Sequence, residues 1–295
     1  MAYSFDWVDA FADRPFCGNG CVVVHGADDV SLDDRMALVR ETSLSECAYL
    51  VASDAADFGA RYYLAGREIP MAGHPTIATV VSMVSRGIVE LVESRASFTL
   101  EVGAGILPIE VDANANGELK VTMTQLRPEF GNSHEPADIA AIYRLSADDI
   151  LGVPRTVSTG SPYAVTVLKN KDSLRRAVLD VARLQKYAES INGDFDEPFL
   201  VTLGGETLDG DVYSRLLLPP PMPAEDPFTG SATGCMAAYL WSEGLIMSPR
   251  FVAEQGHWMG RPGRAEVEVL GARGDISGVR VGGRGYVLMS GVLNL

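Results

Sequence analysis

The chain has 295 residues, 47% of them hydrophobic, and a formal net charge of −15. That is enough apolar material for a large core, and a field that repels phosphate backbones and anionic lipid. Disordered, nucleic-acid-binding and membrane-surface classes are set aside, because the longest basic cluster is the pair Arg175-Arg176.

Met1 to Asp6 has neither a basic region nor an apolar signal core, and no apolar run approaches the eighteen or so residues of a spanning helix, so a soluble cytoplasmic chain is expected. Cys17-Gly18-Asn19-Gly20 resembles a truncated dinucleotide fingerprint, but it lacks a third glycine and leads into strand-like Cys21-Val22-Val23-Val24. It reads as a turn. Ser31-Leu32 precedes a helix-like stretch to Val39, and Tyr49-Leu50-Val51 and Arg61 to Leu64 read as strands. In the next stretch Ile77, Val80, Val81 and Val84 fall at i, i+3, i+4 and i+7, while Ala78 and Met83 make the other faces apolar. This predicts a helix buried on nearly all sides, ended by Gly87 in left-handed conformation. A hairpin is predicted from Ile106–Val111 and Leu119–Thr124, turned by the Asp112–Gly117 segment. Arg127 to Pro136, rich in Gly, Asn, Ser and Pro, is the expected connection between domains.

The chain then repeats itself. Gly73 to Val89 aligns without gaps with Gly230 to Ile246, an offset of 230 − 73 = 157. Phe98-x-x-Glu101-x-Gly103 matches Phe251-x-x-Glu254-x-Gly256 at an offset of 153, and Ser31-Leu32 before Val39 resembles Ser173-Leu174 before Val181 at 142. Cys235 to Trp241 forms a second apolar helix, closed by Gly244. Ordered matches of this kind predict a duplicated domain with pseudo-twofold symmetry, each copy wrapping strands around one helix.

Both helices begin with glycine and polar side chains, Ala72-Gly73-His74-Pro75 and Asp226-Pro227-Phe228-Thr229-Gly230-Ser231. Helix starts carry unpaired N–H groups and positive partial charge, so two that converge make an anion trap suited to a substrate carboxylate. Ordinary capping would account for Asp226, Thr229 and Ser231 taken singly. His74, fixed before Pro75, points an imidazole at the same place. Glu46 interrupts an otherwise small or apolar run, Ser43 to Val51. A carboxyl among apolar neighbours has its pKa raised, as a general acid/base requires, although solvated strand-edge glutamates are common. The four cysteines (Cys17, Cys21, Cys47, Cys235) and four histidines give no disulfide framework or zinc spacing, and P-loop and hydrolase-elbow motifs are missing from the sequence.

Asp9 to Asn19, Ser45-Glu46, Met71 to Thr76, Asp226 to Ala232, Glu254 to Pro262 and Val281-Gly282-Gly283 together resemble the signature segments of the PhzF family, in the family's order along the whole chain. The resemblance implies an α/β (α+β) diaminopimelate-epimerase-like fold: two pseudo-symmetric domains, each a curled, mostly antiparallel sheet around a central helix. Its boundaries would be 1–127, joined by 286–295, and 128–285. It implies an isomerase that moves a proton on trans-2,3-dihydro-3-hydroxyanthranilate or an analogue, without a cofactor, as a homodimer. Glu46 matches the proton-transferring residue, and His74 and Asp226 match its catalytic support. Ser231, the Gly73 and Gly230 backbone and Asn19 would bind the substrate. The related epimerases carry a cysteine before each central glycine, where this chain has Ala72 and Thr229. Gly20 and Leu64 to Arg67 depart from the family pattern near the expected cleft entrance. A two-base amino-acid epimerase without thiols and a non-catalytic binding protein are the alternatives.

Overall fold

Two thirteen-residue helices, Gly73–Ser85 and Gly230–Ser242, organise everything else. The computed structural model describes residues 1–195 and 197–295. In the first half the order is β1 (Ala2–Ala10), β2 (Asn19–Val24), α1 (Leu32–Thr42), β3 (Cys47–Val51), β4 (Phe58–Tyr63), β5 (Glu68–Ile69), α2 (Gly73–Ser85), β6 (Arg95–Val102), β7 (Gly105–Ala113) and β8 (Leu119–Gln125). After β9 (Glu129–Ser133) and α3 (Pro136–Ile142) the second half follows. It contains β10 (Arg155–Ser158), β11 (Pro162–Leu168), α4 (Lys171–Arg176), α5 (Val181–Ser190), β12 (Pro198–Leu203), β13 (Val212–Leu217), β14 (Glu225–Asp226), α6 (Gly230–Ser242), β15 (Arg250–Gln255), β16 (Gly263–Ala272) and β17 (Asp275–Asn294).

The duplication is visible strand by strand. β1–β2, β3–β4, β4–β5 and β6–β7 pair antiparallel while β2–β3 and β4–β6 pair parallel. In the second half β10–β11, β12–β13, β13–β14 and β15–β16 are antiparallel while β11–β12 and β13–β15 are parallel. β17 joins the halves: it pairs with β16 through Gly282 and with β8 through Arg284, then with β1 from Gly285 to Asn294.

Each central helix is apolar all round because it is enclosed all round. Ile77, Ala78 and Val80 of α2, and Ala232, Cys235, Met236, Ala237, Ala238 and Leu240 of α6, are fully buried within one continuous core. Each large side chain among them contributes about 1.5–3 kcal/mol on burial. Phe11 and Phe228 stack in the same core at 4.4 Å between ring centres. Gly87 and Gly244 adopt φ of +68° and +70° just beyond the helix ends, as the sequence predicts. The far end of α2 is tied to β1 through Asp6, which accepts hydrogen bonds from Arg86, Ser290 and Ser82. Burial pushes the Asp6 carboxyl up, but these donors outweigh it and hold it at about 2.

Two expectations are modified. The polar segment 127–136 contains the strand β9, which pairs with β10, because side-chain composition alone does not show where a backbone finds a partner edge. The stretch around Ser173-Leu174 is a short helix in its own right, capped by the Asn170 side chain, and breaks before α5, so this third repeat match is looser than the other two. No helix among the described residues is long and apolar enough to cross a membrane.

Candidate active site

The two helix starts touch. A Cβ placed on Gly73 would lie 2.4 Å from Gly230 Cα and 2.5 Å from Ser231 N, so only glycine permits this approach. Both starts are built alike: Thr76 Oγ1 donates to Ala72 O at 2.6 Å, and its repeat counterpart Thr233 Oγ1 donates to Thr229 O at 2.9 Å. Neither helix has a side-chain cap. Thr229, in the N-cap position, instead donates its hydroxyl to Asp226 Oδ2 at 2.7 Å. Capping therefore does not explain the polar residues at these starts, and the first-turn dipoles converge on one point.

Around that point the chain gathers side chains from both halves. Asn19, at the start of β2, presents its amide nitrogen to His74 Nδ1 (3.1 Å), Asp226 Oδ1 (2.9 Å) and the Phe228 carbonyl (3.0 Å). Gln255 at the end of β15 holds the other side: its Oε1 accepts from Thr229 N at 3.1 Å and its Nε2 donates to Asp226 O at 2.8 Å. Ser231 shares a 3.0 Å hydrogen bond with Tyr163 OH of β11. Glu46 lies just ahead of β3, with Oε2 at 3.7 Å from His74 Nδ1. Glu46 Oε2 and His74 Nε2 are both buried without a hydrogen-bond partner among the described residues. Ser45 Oγ, next in the chain to Glu46, is likewise unpartnered, and such a group of orphaned polar atoms marks where a ligand's polar groups belong.

Burial sets the electrostatics. It drives the Glu46 carboxyl well above the ordinary carboxylate range, with the negative fields of Asp226 and Glu197 adding to it and Arg67 opposing. Burial also lifts Asp226 to about 6, against the pull of its hydrogen bonds from Thr229 and Asn19. His74 is pushed down to about 3 by burial and is a neutral imidazole at physiological pH. The site thus holds two carboxyls raised by burial and one neutral imidazole, an arrangement suited to moving a proton between carbon centres. Thiol chemistry has no such support, since burial raises Cys47 to about 12 and Cys235 to about 11, and Ala72 and Thr229 precede the helix glycines.

A stability effect follows from Asp226. Between its free value of 3.8 and its folded value of about 6, the folded chain binds more protons than the unfolded one, so stability falls as pH rises through this window. Above it the cost of holding the carboxylate buried amounts to about 3 kcal/mol. In Asp226→Asn the amide still accepts from Asn19 and can donate to Thr229 Oγ1, removing the buried charge. The variant should gain stability relative to the parent at pH 7.5 and much less at pH 4.5. Urea unfolding at the two pH values checks this, and an equal difference at both would show that the carboxyl is not held up by burial.

Glu46, His74, Asp226, Asn19, Gly73, Gly230 and Ser231 are all drawn to one place between the two helix starts. Sequence reasoning does not reach Tyr163 or Gln255 as site components. Gln255 lies inside the Glu254 to Pro262 signature segment, whereas Tyr163 sits in a strand whose pattern carries no chemical signal.

Fold and relatives together define the chain as an isomerase. Residues 8–291 match the PhzC-PhzF family, phenazine biosynthesis-like protein, and the chain belongs to that family. A Bacillus subtilis protein described as the uncharacterized isomerase YfhB is 28% identical over 91% of this chain and 91% of its own. The trans-2,3-dihydro-3-hydroxyanthranilate isomerase of Pseudomonas aeruginosa is 26% identical over 96% of both chains. In fold, the chain matches the crystal structure of a Bacillus anthracis phenazine biosynthesis protein of the PhzF family, with a TM-score of 0.85 at 24% identity and complete coverage of both chains.

Proposed function

We propose that this isomerase shifts a proton between two carbons of a small carboxylate-bearing substrate, trans-2,3-dihydro-3-hydroxyanthranilate or an analogue. Glu46 in its ionised form takes the proton from one carbon, becomes the neutral acid, and returns it at another, so that a double bond moves and no atom is gained or lost. The Gly73 and Gly230 backbone and the Ser231 hydroxyl receive the substrate carboxylate, whose charge the two helix dipoles favour. Asp226 and His74 line the remaining wall. The observation that carries the reading is the buried, unpartnered Glu46 Oε2 beside two uncapped helix starts in contact.

In the same reading the chain divides into pseudo-symmetric domains, 1–127 completed by 286–295 and 128–285, with the site at their junction. The pairing of β1 with Gly285–Asn294 supports the assignment of the last segment. The test is hydrogen exchange: the protein is incubated in D2O with a panel of small dihydroaromatic and unsaturated hydroxy acids, and the substrates are read by NMR. Deuterium should enter at one carbon as the double bond moves. If no member of the panel isomerises or exchanges, the proposed chemistry fails. Exchange at a Cα with inversion and no double-bond shift would instead support the two-base epimerase, with Asp226, raised to about 6, as the second base.

A further inference from the structure

The Phe228 carbonyl can only accept a hydrogen bond, and it lies 3.0 Å from one end of the Asn19 side-chain amide. That end must therefore be the nitrogen, which Asp226 Oδ1 at 2.9 Å requires independently. The same nitrogen stands 3.1 Å from His74 Nδ1. An amide nitrogen only donates, so Nδ1 must offer its lone pair, and the single proton of the neutral ring is left on Nε2. The opposite tautomer would set an N–H against the Asn19 N–H groups. Glu46 Oε2, 3.7 Å away, is beyond hydrogen-bond reach as an alternative acceptor. Protonating the ring would create the same clash. His74 is 2% exposed, and Nε2 has no partner among the described residues.

We propose that Asn19 is a positioning residue that fixes His74 as the neutral Nε2–H tautomer, so that His74 gives a hydrogen bond to a carbonyl or carboxylate oxygen of the substrate and takes no proton in turnover. Asn19 is then not a spare substrate contact, since its amide hydrogens are already shared among three protein acceptors drawn from both halves of the chain. Its consequence in turnover rests on the proton-shift reading above, but the tautomer is a property of the free protein.

The test is therefore made without substrate. Two-bond ¹H–¹⁵N correlation spectra of uniformly labelled protein report which imidazole nitrogens carry protons, and His74→Gln identifies the signals of residue 74. The wild type should show a bare Nδ1 and a protonated Nε2 unchanged from pH 5 to 8. In Asn19→Leu, which keeps the volume and removes the donor, and in Asn19→Ser, too short to reach, the Nδ1–H form should appear while burial keeps the ring neutral. A proton on Nδ1 in the wild type, or wild-type titration near the free value of about 6.5, overturns the proposal. So does a folded Asn19 variant that keeps the wild-type tautomer. If neither variant folds, the wild-type spectrum alone decides. Failure of the proton-shift chemistry would leave this result intact, and a wrong tautomer would leave the chemistry of Glu46 standing.

Discussion

Glu46→Gln should lose at least three orders of magnitude in isomerisation rate while remaining as stable as the parent at pH 7.5, or more so. The amide has the shape of the protonated acid, and the protonated acid is the form that burial favours, since the Glu46 carboxyl is held well above the usual range by desolvation. Removing the ionisable group therefore relieves an electrostatic cost in the fold and deletes a buried carboxyl beside His74 with an oxygen lacking a partner among the described residues. General acid/base groups usually contribute about 10²–10⁴-fold, and a proton carried out and back by one residue puts Glu46 at the upper end. The measurement is deuterium uptake and product formation for parent and variant, with thermal unfolding alongside. Substantial retained exchange would pass the role to another group, and Asp226, at about 6, would be the one to test next.

The two halves of this prediction were not equally legible in the sequence. Glu46 stands out as a carboxyl in a run of small and apolar residues entering a strand, although a solvated strand-edge glutamate reads the same way, and the helices stand out by their period. The repeat goes further: the 157-residue offset that aligns Gly73 with Gly230 also aligns the Thr76 and Thr233 hydroxyl hydrogen bonds and the left-handed glycines at 87 and 244. What stayed hidden depends on partners far apart in the chain. Asn19 looks like a turn residue until it meets Asp226 and Phe228 more than 200 positions later, and Tyr163 looks like any strand aromatic until Ser231 stands 3.0 Å from its hydroxyl. Local pattern reports what a segment buries, but it does not report which distant polar group waits on the other side. The match of Ser31 with Ser173 is looser, since α1 runs unbroken from Leu32 to Thr42 whereas α4 ends at Arg176 and α5 begins at Val181.

Gly73→Ala should destabilise the protein by about 3 kcal/mol or more and lower kcat/KM at least a hundredfold in whatever fraction remains folded. The added methyl would sit 2.4 Å from Gly230 Cα and 2.5 Å from Ser231 N, against backbone that cannot turn aside as a side chain could. The helix starts must separate, which opens the core shared by α2 and α6, where overpacking alone costs about 1–3 kcal/mol and the loss of continuous packing adds to it. Separation also pulls apart the N–H groups proposed to grip the substrate carboxylate, and a displacement of about 1 Å in a positioning group can cost a hundredfold in rate. Gly230→Ala should behave similarly, because its methyl would meet the buried Phe11 ring at 2.7 Å and Gly73 Cα at 2.9 Å. Gly87→Ala is the control: its methyl meets nothing, but its φ of +68° disfavours any side chain, so it should cost about 1 kcal/mol in unfolding measurements and leave the kinetics unchanged. If Gly73→Ala were to match the control in both measurements, the contact between the two helix starts would not be the constraint on which the site is built.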